Sequence, residues 1–192
     1  MTEEERNRPV AHPIKDGIAN AIRSTGNAYA SALATVSIAV RETLTASRRA
    51  GSSAVGAVTY VALGAVRGAL EIGSDLAQAC KGIVMGVLQG SGDRGEAALG
   101  TISHTARTIV HHTATTRSDV TSATAGLVEG AIEGALDSGV DVTRAASAAA
   151  QGALEGAEEV SFAASEQVRA ALRAHFHGVR ILLLPPYQQQ ER

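Results

Sequence analysis

Between Pro13 and Pro185 the chain contains no proline. An average composition would place roughly eight in a stretch of that length. A proline inside a helix removes a backbone hydrogen bond and clashes with the preceding turn, so the gap favours helix throughout. The stretch also repeats. Ile22, Leu33, Leu44, Val55, Val66, Leu88, Leu99, Val110, Ile132 and Leu154 fall in one column of an eleven-residue period, which Ala77, Thr121 and Thr143 complete. With positions lettered a to k from Ile18, these residues occupy e. In the apolar columns a, d, e and h, Arg117 is the only charged side chain.

This hendecad period, about 3.67 residues per turn, predicts an all-α chain built as one very long helix. Such helices assemble as a parallel, right-handed or nearly straight coiled-coil bundle or barrel. The boundaries are a disordered arm over residues 1–13, the hendecad helix over 14–177, and an apolar segment with a polar tail over 178–192. Gly90, Gly92 and Gly95 would ordinarily mark a loop. The phase nevertheless runs unbroken from Val87 and Leu88 to Ala98 and Leu99, which favours continuous helix there. The helix would be on the order of 240 Å long. Val179 to Leu184 form an apolar run expected to pack on a neighbouring subunit or dip into a membrane interface.

Glycines collect on columns c and g. The pairs are Gly64/Gly68, Gly86/Gly90, Gly130/Gly134 and Gly152/Gly156. Glycine costs a helix about 1 kcal/mol relative to alanine, so its repetition along one line calls for a compensating contact. A groove that admits a neighbouring backbone supplies one. Ridge e and this groove lie on opposite edges of the apolar arc, and ridge-into-groove contact is heterologous, closing into a ring or running on as a filament. A barrel with an apolar lumen and a compact bundle without one both fit. Packing of the aliphatic ridge favours parallel neighbours. The charge distribution, basic from Lys15 to Arg67 and acidic from Asp119 to Glu166, favours antiparallel ones. Burial of Val and Leu outweighs exposed ion pairs, so parallel register is expected.

The repeat resembles those of bacterial hendecad coiled-coil proteins, a loose class of long, alanine- and glycine-rich chains. The resemblance covers roughly residues 14–175 and rests on the period. It implies parallel self-assembly and, for some members, association with membranes. Units such as Val55-Gly56-Ala57-Val58-Thr59 and Gly126-Leu127-Val128-Glu129-Gly130-Ala131 are also similar to the repeats of synuclein, perilipin and late-embryogenesis-abundant proteins. Those chains are lysine-rich, whereas this one has only Lys15 and Lys81.

No constellation for catalysis is legible. There is no phosphate loop in a strand–helix context and no Ser/His/Asp arrangement. Cys80 stands alone on the apolar stripe and reads as a core residue. His104 and His111 share a helix face beside His112, without an acidic or thiol ligand at helical spacing to complete a metal set. Arg117, amid Thr113, Thr121 and Thr124, marks a polar core layer. In an assembly it would form a ring of charge, or else snorkel outward or pair with Asp119. Ser24 to Val40 and Ala50 to Val66 carry no charge and sit at the lower limit for a bilayer span, but they are rich in small and hydroxyl residues and read better as helix–helix seam. A charged N-terminus without an apolar run is not a signal peptide, which points to the cytoplasm.

The function expected from sequence is therefore structural: a homo-oligomer partnered by copies of itself. It requires no enzyme activity, metal, cofactor or nucleic acid, and a membrane or lipid surface stands as the open second partner. The alternatives are a lipid-surface-binding amphipathic protein, phasin- or perilipin-like, and a pore or conduit with an apolar lumen.

Overall fold

In the computed structural model the described residues are 28–49, 54–71, 75–173, 176 and 178–183. They form seven helices: α1 (Ala28–Arg49), α2 (Ala54–Glu71), α3 (Leu76–Ser91), α4 (Gly95–Thr115), α5 (Val120–Ser138), α6 (Val142–Glu158) and α7 (Phe162–Leu172). Among these residues there is no strand, only one isolated bridge between Phe176 and Val179. The all-α expectation holds. The single long helix does not, and neither does the coiled-coil rod built from it: the helices are short and pack on one another as a globular bundle.

The breaks have local causes. Asp75, Asp119, Asp141 and Ser161 are N-caps whose side chains accept hydrogen bonds from the first-turn amides of α3, α5, α6 and α7. Gly92 and Gly139 end α3 and α5 in the left-handed region, at φ 65° and 68°. After Gly139 the amide of Val140 returns to the carbonyl of Ala135. The glycine-rich stretch after Leu88 is therefore a turn.

The strongest packing runs not between successive helices but between every second one: α4 on α6, α1 on α3, and α3 on α5. The chain forms two interlocked layers, α1–α3–α5 and α2–α4–α6, with α7 laid against α5 and α6. Within a layer the helices are parallel. Gly86 and Gly90 of α3 meet Ser37 and Arg41 of α1 in that order, and the same sense holds for α5 on α3 and α6 on α4. Each intervening helix must therefore run back the opposite way.

The inward-facing columns of the repeat supply the core. Leu44, Val66, Leu88, Val110, Ile132 and Leu154 are buried and Leu99 is partly so, all within one chain. The ridge assigned to contact between chains is thus already covered by the chain's own helices. Ile22 lies outside the described residues, as do the side chains of Leu33 and Val55. Large side chains are few. Leu44, Ile83, Ile102, Ile109 and Leu127 are the largest that are fully buried, and α6 contributes Leu154 among eight buried alanines and glycines. Phe176 is buried, and Val179 and Ile181 pack against the core in cis, while Leu182 and Leu183 of the same apolar run stay exposed.

Arg117 does not occupy a core layer of this chain. It is exposed in the turn between α4 and α5, with φ 56°, the one non-glycine residue among those described with positive φ. An L-residue pays about 1–2 kcal/mol for that conformation. Arg117→Gly should therefore stabilise the fold, by about 0.5–1 kcal/mol once the greater freedom of unfolded glycine is subtracted, read as a higher urea midpoint at unchanged slope.

Candidate functional site

The glycines build the seams, and one of the seams carries a recess. A β-carbon at Gly86 or Gly90 would stand 2.5 Å from the Ser37 carbonyl oxygen or 2.9 Å from that of Arg41. At Gly130 it would meet the Lys81 carbonyl at 2.6 Å, and at Gly134 the Leu88 side chain at 2.7 Å. At Gly152 and Gly156 it would meet the carbonyls of Ser103 and Arg107 at 2.1 and 2.3 Å. All are sub-contact distances, so these helices touch backbone to backbone. Gly64 and Gly68 are buried in α2. The tightest approach is at Gly126, outside the paired columns c and g: a β-carbon there would be 2.0 Å from the Ala77 carbonyl oxygen. Its spacing of four from Gly130 was the signal for it, since the contact continues one turn further along α5.

One register governs all three seams. Gly86 faces Ser37, Gly126 faces Ala77, and Gly152 faces Ser103, each 49 residues apart, and the glycines one turn on keep the same offset to Arg41, Lys81 and Arg107. The position facing the second glycine is basic each time. At two of the three, Lys81 and Arg107, the side chain leaves the seam and finds carboxylates on or just beyond the glycine-bearing helix. Lys81, only 13% exposed, lies 2.6 Å from Glu133 and 3.8 Å from Glu129 of α5. Arg107 pairs with Glu159 just beyond α6. Both pairs cross a seam within one chain, and both join a cation from outside the basic stretch Lys15–Arg67 to the acidic stretch Asp119–Glu166. Arg144 with Glu96 runs in the opposite sense.

At the α4–α6 seam the close contact of Gly156 with Arg107 brings Glu159 over α4. A recess of about 420 Å³ opens there. His104, Arg107, Thr108 and His111 line it from α4, at spacings of three, four and seven that put them on one helix face. Leu63 of α2, His112 and Glu159 complete the walls. The ring of His104 is tied to α2 through its Nε2, 2.9 Å from the hydroxyl of Thr59. The shared face of the two histidines was readable from sequence. Thr59, Leu63 and Glu159 were not, because they arrive from other helices. Among the described residues no group of three or more His, Cys, Asp or Glu is placed to hold a metal.

Arg107 and Arg67 stand beside the histidines of this recess. His104 is held below the ordinary imidazole range by burial and then by Arg107. His112 is lowered by burial, then by Arg67, then by His111. The unfolded chain therefore binds these protons more readily than the fold does, so stability is complete above the unfolded value near pH 6.5 and falls as pH drops below it. Asp119, whose carboxylate accepts from Ser122, is lowered and adds a further loss in stronger acid. The thermal midpoint should be flat from about pH 8 to 7 and decline below about 6.5. Replacing both His104 and His112 by Gln should flatten that decline. Cys80 lies buried in α3, and burial, with the charge of Asp75 second, raises its thiol far above the usual range. It stays a protonated core residue.

The chain matches no known protein family, and no curated protein is similar to it. The uncharged stretches weighed as membrane spans overlap α1 and α2, and among the described residues no helix is long and apolar enough to cross a membrane.

Proposed function

We propose that the chain is a non-catalytic structural module that self-associates end to end along its helix axes. The glycine grooves first assigned to neighbouring chains are filled within the chain, so the contacts between copies fall elsewhere. The observation that supports this reading is the placement of the bulkiest exposed apolar side chains. Phe162 opens α7 at 80% exposure, and Leu136 near the end of α5 is 67% exposed. Since α6 runs between the end of α5 and the start of α7, the two lie at opposite ends of the bundle. A head-to-tail contact buries one against the other's neighbourhood without involving a seam. Leu182, whose amide donates to Ser147 near the start of α6, adds apolar surface at the Leu136 end. Sedimentation of the full chain tests the reading. The wild type should sediment as an oligomer at tens of micromolar, and Phe162→Ser with Leu136→Ser as a folded monomer. A monomeric wild type, or a double variant of unchanged mass, refutes it.

A lipid-surface role is the second reading. It rests on the thin interior of α6, where alanine dominates the buried face, so little side-chain burial opposes transfer of that face to an interface. Flotation with neutral and anionic vesicles separates the two readings, since end-to-end association needs no lipid.

A further inference from the structure

We infer that the recess over α4 binds a small phosphomonoester, with Arg107 exchanging Glu159 for the phosphate group. The N–H and O–H donors that line the recess carry this. Arg107, His104 and His111 line the recess and Arg67 lies close to His112, against the single carboxylate of Glu159. Arg107 is half exposed despite its ion pair. A guanidinium has five N–H donors, of which one carboxylate engages two at most, and its fork matches phosphate as well as carboxylate. Thr108 adds a hydroxyl on the same face.

Size and shape narrow the class. The recess, about 420 Å³, exceeds what a bare phosphate fills and falls within the range of small-molecule pockets. Leu63 is its one large apolar side chain and no Phe, Tyr or Trp lines it, so the rings beside a bound ester are the imidazoles of His104, His111 and His112. A compact polar body carrying one phosphate, of the size of a pentose phosphate, fits this lining.

The test is a titration of the full chain, isotopically labelled at histidine, in phosphate-free buffer at fixed ionic strength. The probes are ribose 5-phosphate, inorganic phosphate and sodium chloride. Ribose 5-phosphate should give saturable shifts of the His104 and His111 rings, with inorganic phosphate several-fold weaker and chloride silent. Arg107→Gln should weaken the ester at least tenfold. Glu159→Gln, which frees Arg107 from its competitor, should tighten it several-fold. Both side chains are substantially exposed, and unchanged circular dichroism would show that both variants keep the fold. The inference is overturned if no saturable shift appears by on the order of 10 mM, if inorganic phosphate matches the ester, if Arg107→Gln binds like the wild type, or if Glu159→Gln weakens binding.

Discussion

Gly126→Ala is expected to destabilise the chain by about 3 kcal/mol, the upper part of the range for overpacking. One methyl group is added, yet the atom it meets is the Ala77 carbonyl oxygen at 2.0 Å. That atom belongs to backbone and cannot rotate away, so α3 and α5 must part along their length. Separation also stretches the ion pairs that Lys81 makes with Glu129 and Glu133 one turn on. For a chain of this size the midpoint of thermal unfolding should fall by roughly 6–12 °C. Gly100→Ala is the matched comparison. Gly100 also lies inside a helix, but a β-carbon there meets nothing within 4 Å, so the ordinary propensity gain of about 1 kcal/mol is free to appear. The same substitution at two helical glycines should thus move stability in opposite directions. A loss at Gly126 no larger than the change at Gly100 would mean that the seam is looser than described.

Leu127→Ala should cost about 3 kcal/mol, within the span for a leucine deleted from a packed interior. Leu127 is fully buried in α5 between Gly126 and Gly130. It is one of few large side chains in an interior otherwise filled by alanine and valine, so its removal takes a larger share of the apolar volume than it would in a leucine-rich core. Because the flanking glycines already hold α5 against α3 at backbone contact, the helices cannot close further to refill the space. Chemical denaturation reads the change directly: the midpoint should drop while the slope stays constant.

Much of this packing was legible in the sequence, although its partners were not. The column from Leu44 to Leu154 marks the buried face because burial follows side-chain chemistry, which the repeat displays. The glycines spaced by four mark a close backbone approach for the same reason. What the period concealed was the turns. The N-caps at residues 75, 94, 119, 141 and 161 are separated on average by close to two hendecads. A helix and its turn thus consume nearly a whole number of repeats, and the apolar phase crosses each turn almost undisturbed. Unbroken phase therefore did not mean unbroken helix. The local signals were present in the helix stops Gly92 and Gly139 and the helix starts Asp141 and Ser161, and they outweigh periodicity where the two conflict. The recess over α4 was half legible. His104 and His111 announce a face from their spacing, but a face becomes a site only when Thr59, Leu63 and Glu159 are delivered to it, and their sequence separations encode no such meeting.

The fixed offset of 49 residues along every glycine seam also dictates how such a chain must fold. A hairpin of two successive helices contains no seam, since each seam joins a helix to the next but one. Its closure requires a complete third helix and the ordering of the return segment between them. The entropic cost of closing that loop precedes the reward, so isolated hairpins gain little and three helices form the smallest unit that gains much. Contacts of this separation are long for an all-helical protein, and folding rates fall as the mean separation of contacts rises. The chain should therefore collapse into its helices early and lock its layers late, with each locked seam presenting the edge on which the next helix of that layer docks.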